Sequence, residues 1–112
     1  MQTQLLGPFE LSFESVDAVV QSGRCGVFAL GHVDAAGVFR VERVGRDDKD
    51  LRQKLQTAIG SGNRFKFTYA NSPEKAFLEE CFIFHKFRPP RNFIHPDRLK
   101  GSGWTCPICQ FA

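Results

Sequence analysis

Residues 26–44, GVFALGHVDAAGVFRVERV, decide how the chain reads. Phe28, Leu30 and His32 alternate with Val27, Ala29 and Val33, the period-two pattern of a strand. Asp34-Ala35-Ala36-Gly37 supplies a turn and Val38 to Val44 a second strand, so the stretch predicts a β-hairpin. Downstream, Gly45 begins a short loop. Asp47 or Asp48 can cap a helix whose apolar positions are Leu51, Leu55, Ala58 and Ile59, and Gly60 to Asn63 stop it. Arg64 to Tyr69 reads as a third strand, with Phe65, Phe67 and Tyr69 on one face. Ser72 suits an N-cap and Pro73 the first position of a longer helix running to about Phe87, where Pro89-Pro90 end it. Upstream, Glu14 to Val20 fit one or two helical turns, and residues 1–13 fit a short strand or an extended arm equally well. The expected fold is α/β: a small three-stranded antiparallel sheet flanked by helices. Its organisation is an arm or short helix over 1–25, a core domain over 26–92, and an irregular tail over 93–112 packed on the same domain.

Composition narrows the class. With 112 residues, 42% hydrophobic and 24% charged, the chain is a single globular domain. No run nears the roughly 18 apolar residues of a membrane span, and MQTQLLGPFE lacks the basic start of a signal peptide. A cytoplasmic domain with no membrane partner is expected. Twelve Phe against one Trp and one Tyr make a core with few hydroxyls to satisfy. Net charge is +3, but between residues 84 and 101 Lys86, Arg88, Arg91, Arg98 and Lys100 face only Asp97, which leaves the remainder near −1. Phe87, Phe93 and Trp104 lie near this basic run, which reads as a solvated surface or as a nucleic-acid face. Gly31 and Gly45 lack the spacing of a phosphate-binding loop. His32 has no triad partner nearby and reads as structural.

The longer helix carries two unusual features. Ala76, Phe77, Glu80, Ile83, Phe84 and Phe87 share one stripe, so Glu80 projects from an apolar face while Lys75, Glu79 and Lys86 take the solvated one. A carboxylate there marks a functional cleft or a structural ion pair, with Arg43 or Arg46 as partner. Cys81 and His85, at i and i+4, share a face, and Cys106-Pro107-Ile108-Cys109 follow. A redox C-x-x-C normally opens a helix, whereas this one lies three residues from the end of the sequence. The spacing therefore predicts a closed structural zinc site of Cys81, His85, Cys106 and Cys109 that pins the tail, with His95 competing with His85 for the fourth place. Cys25, without a neighbour, reads as a buried filler.

The order hairpin, helix, strand, helix, with a carboxylate on the last helix, resembles the GIY-YIG nuclease domain over Gly26 to Asn92. The first signature corresponds to Gly26-Val27-Phe28 and the second to Arg43-Val44-Gly45, followed by Arg46. The basic segment of the first helix corresponds to Asp50-Leu51-Arg52-Gln53-Lys54, the glutamate helix to Glu74 through Glu80, and a late asparagine to Asn92. The tail from Asn92 through His95 to Cys109 is similar to bacterial GIY-YIG-like proteins that add a cysteine/histidine tail. The resemblance implies that Glu80 holds Mg²⁺ or Mn²⁺ and that Asn92 gives a supporting polar contact. It also implies proton relay from tyrosines and charge stabilisation by a helix arginine. Here Phe28 replaces the first tyrosine and has no hydroxyl, while Arg43 replaces the second and is no base near neutral pH. Lys54 stands for the catalytic arginine, keeping the charge without the bidentate fork.

Three functions are therefore weighed. The first, placed ahead, is a degenerate GIY-YIG-like module that binds DNA or RNA through Arg43, Arg46, Lys54, Lys86, Arg88, Arg91, Arg98 and Lys100 and does not cleave it. The second is an active Mg²⁺- or Mn²⁺-dependent phosphodiester endonuclease built on Glu80. The third is a zinc-stabilised protein-interaction domain.

Overall fold

A computed structural model of the chain describes residues 4–92 and 94–109. The hairpin forms as expected, with β-strands numbered in chain order. β2 (Gly26–Val33) pairs antiparallel with β3 (Phe39–Asp47), with Ala29 opposite Val44. The Asp34 carboxylate accepts hydrogen bonds from the amides of Ala36 (2.9 Å) and Val38 (3.0 Å), and Gly37 turns the chain at φ 82°. β4 (Arg64–Tyr69) lies on the other side of β2, with Phe67 opposite Phe28.

The sheet has four strands rather than three. β1 (Leu6–Glu10) adds to the free side of β4, giving the order β1-β4-β2-β3 with every neighbour antiparallel. Gly7-Pro8 hides this strand in the sequence: the register slips between Leu6 and Phe9, so alternation is lost. Proline lacks an amide donor and is tolerated on an edge strand, and Phe9 secures the strand by resting 5.5 Å from Phe65 and 6.0 Å from Phe67. The arm continues as α1 (Phe13–Val19), capped by Ser12. β3 also runs to Asp47 instead of stopping at Val44. Gly45 is no loop residue but the partner of Phe28, and a Cβ there would lie 2.6 Å from the Phe28 ring.

The cap of α2 (Leu51–Thr57) is Asp50, which accepts from the Gln53 amide, rather than Asp47 or Asp48. Asp47 instead accepts from the Lys49 and Asp50 amides. α3 spans Pro73–Phe87 behind the Ser72 cap. On one face of the sheet Phe28, Leu30, Phe65 and Phe67 pack with Val16 of α1, its C-cap Val20, and Leu51 and Leu55 of α2. On the other face Val27, Ala29 and Val44 pack with Ala76 and Ile83 of α3. The broad stripe expected on α3 is thus divided. Phe77 and Cys81 turn away from the sheet toward Cys106 and Trp104 of the tail, while Phe87 is exposed. Glu79, expected in solvent, is half-buried, and burial pushes its carboxyl up.

Candidate cleft and metal-ligating cluster

The end of β3, the start of α2, the middle of α3 and the tail meet around a cleft of about 440 Å³. Phe28, Arg43, Arg46, Lys54, Glu80 and Asn92 all line it. Glu80 is only 7% exposed. Arg46 Nη1 donates to Glu80 Oε1 at 2.7 Å, and Arg46 Nε donates to Asp48 Oδ1 at 2.9 Å. The guanidinium also lies 5.2 Å from the centre of the Phe77 ring. Burial pushes the Glu80 carboxyl up, and the Arg46 hydrogen bond and charge hold it back. Of the two partners considered for an ion pair, Arg46 is the one used. Strand parity carries the signal: Arg46 is two residues beyond Val44, which faces α3, whereas Arg43 points to the other face.

This pairing changes the roles assigned from sequence. Arg46, expected on phosphate, has its Nε and Nη1 committed to carboxylates. Phe28 is a core side chain whose ring covers Gly45. Asn92 uses both ends of its amide on the backbone of Val44: the Val44 N–H donates to Oδ1 at 2.8 Å, and Nδ2 donates to the Val44 carbonyl at 3.0 Å. It therefore closes the outer edge of β3. Arg43 and Lys54 are exposed and have no ion-pair or hydrogen-bond partner for their side chains among the described residues. Lys49, which the sequence reading did not single out, joins them at the rim.

The other basic residues do not line this cleft. Lys86 lies in a different groove with Phe39 and Val41. Arg88 closes α3 in the left-handed conformation at φ 46°. Arg91 donates to the Ser61 carbonyl (2.5 Å) and Glu42 (3.3 Å), and Arg98 donates to the Trp104 carbonyl (3.3 Å). Lys100 is exposed, Trp104 packs on Phe77, and Phe93 lies outside the described residues.

Beside the cleft, ligand atoms of His85, His95, Cys106 and Cys109 lie within 4.8 Å of one another. His95 Nδ1 donates to the Pro96 carbonyl at 2.8 Å, which turns its Nε2 toward the other members of the cluster. That Nε2 sits 3.2 Å from His85 Nε2 and 3.4 Å from Cys109 Sγ. Donors around a tetrahedral zinc stand ~3.3 Å apart between nitrogens and ~3.5 Å between nitrogen and sulfur. Phe84 packs edge-on against both imidazoles, each 5.3 Å away.

The converging set therefore contains both histidines, and Cys81 stands outside it. Cys81 is buried against Cys106 with Phe77 and Trp104 around it, and burial, reinforced by Cys106, pushes its thiol well above the ordinary cysteine range. Burial also pushes the Cys106 thiol up. The amides of Cys109 and Ile108, with His95 and the Cys109 thiol, outweigh this and bring it down to about 6. The Cys-Pro-Ile-Cys turn thus sets two sulfurs beside the two imidazoles.

No helix among the described residues is long and apolar enough to cross a membrane. No family model, curated protein or solved structure matches the chain.

Proposed function

We propose that this chain is a GIY-YIG-like nucleic-acid-binding domain in which Arg43 and Lys54 grip phosphate and no cleavage follows. The observation that carries this reading is the division of charge in the cleft. One oxygen of the buried carboxylate is bound by Arg46, while Arg43 and Lys54 face the opening without an acidic partner among the described residues. The Arg46 charge on Glu80 Oε1 offsets the attraction that this carboxylate would hold for a divalent ion. A phosphate needs only the two exposed cations.

Anisotropy of a labelled oligonucleotide titrated with salt tests the binding. Two phosphate contacts give a slope of roughly −1.4 to −1.8 in log affinity against log salt, and the Arg43→Gln, Lys54→Gln double variant removes most of the binding. Absent or salt-insensitive binding overturns the reading. Plasmid nicking with Mg²⁺ and then Mn²⁺, run beside Glu80→Gln, tests the chemistry. Nicking by the parent that the variant loses would establish the endonuclease instead.

The cluster of two histidines and two cysteines is read as a closed structural zinc site, because four protein donors fill a tetrahedral shell. About one equivalent of zinc by elemental analysis is expected, and less than roughly half an equivalent in carefully prepared protein would sink the assignment.

A further inference from the structure

Arg43 and Lys54 border two cavities at once. One is the cleft of about 440 Å³; the second, of about 210 Å³, lies against Phe28 and Leu30 and is bounded by Thr57, Ala58 and Ser61. Phe28 and the same two cations belong to both, so the cations sit where two adjoining cavities meet. The larger cavity also has an apolar rim: Ile94 is 78% exposed and Leu99 50% exposed, on the segment that His95 ties to the metal-ligating cluster. Apolar side chains held in water beside cations that have no acidic partner among the described residues suit a ligand that presents an anion and an apolar surface together.

A lone phosphate would use only the cations, and a mononucleotide the cations and one cavity. Two cavities flanking one cationic pair match a repeating ligand with a flat group on each side of an anion. We infer that the ligand is an unpaired nucleic-acid strand, whose phosphate lies on Arg43 and Lys54 while the bases on either side of it enter the two cavities. Bases in a duplex are stacked ~3.4 Å apart along each strand and cannot part into separate cavities without unpairing. Unpaired bases are free to do so, and each has a face that apolar side chains can cover. This inference rests on the phosphate-binding reading above.

The test is competition anisotropy with the full chain. The competitors are a thymidine 5′-monophosphate, a 5′-phosphorylated thymidine dinucleotide, the same dinucleotide made abasic at either position, and a longer strand with and without its complement. The complete dinucleotide is expected to compete roughly 5-fold or more better than either abasic form, and the strand at least ~10-fold better than its duplex. Ile94→Ser with Leu99→Ser, both at exposed positions, should weaken strand binding roughly 5-fold while leaving the salt slope unchanged. Equal binding of strand and duplex, or no effect of removing bases, with Arg43 and Lys54 still required, overturns the unpaired strand and leaves the phosphate reading standing. Failure of every competitor to bind overturns both.

Discussion

Two polar clusters flank α3, and they differ in what closes them. At the cleft, Glu80 and Asp48 meet Arg46, so opposite charges satisfy one another within the protein. At the tail, the Pro96 carbonyl holds His95 Nδ1, and the Nε2 of that ring looks at His85 and Cys109. These facing donor atoms gain most when a cation binds between them. The first cluster is closed by protein groups alone; the second is a donor set compatible with a metal ion. Acidic side chains near a cleft are therefore poorer markers of a metal than converging nitrogen and sulfur lone pairs.

The largest effect expected from breaking this contrast is at the tail. Chelation, or His95→Ala, should release the metal and lower the melting temperature by on the order of 10 °C or more, read by thermal denaturation beside zinc analysis. Next comes Arg46→Met, which strands the buried Glu80 carboxylate and should cost about 3–5 kcal/mol by denaturant unfolding. Its pH dependence has a definite sign. Glu80 is already raised in the folded chain, so removing its partner raises it further. The folded state then holds its proton more tightly than the unfolded one. Stability is greatest below the ordinary carboxylate range and is lost as pH rises through the raised folded value. A variant equally unstable at every pH would contradict this.

Asn92→Ala leaves the Val44 amide and carbonyl without their partner and should cost about 1–3 kcal/mol. Cys81→Ala is the smallest and sharpest test, costing about 1 kcal/mol in packing while zinc content stays unchanged. Loss of zinc in that variant would return Cys81 to the ligand set.

What the sequence makes legible is whatever depends on local pattern. The hairpin, β4 and α3 follow from alternation and from the Ser72-Pro73 start. β1 stays undecided between strand and arm because Gly7-Pro8 breaks the period, and the true end of β3 escapes because Gly45 makes room for a ring from the neighbouring strand. Glu80 stands out as a carboxylate on an apolar stripe, yet its partner lies 34 residues earlier and emerges only when strand parity is followed. The cysteine and histidine spacing points to a cluster. Helix periodicity places Cys81 on the right face but cannot tell that Phe77 and Trp104 hold it behind Cys106.

Asn92 has one further consequence. Any open sheet ends in two strands that each offer a row of free amides and carbonyls to other chains. On β1 that row is interrupted by Pro8. On β3 it is occupied near the middle, where the Arg91 amide donates to the Glu42 carbonyl at 2.9 Å and Asn92 engages Val44. The segment entering the metal cluster thus acts as insulation for an adhesive margin. A chain in which this segment lifts would bare the β3 margin, and its characteristic failure would be self-association through added strands before its core has melted.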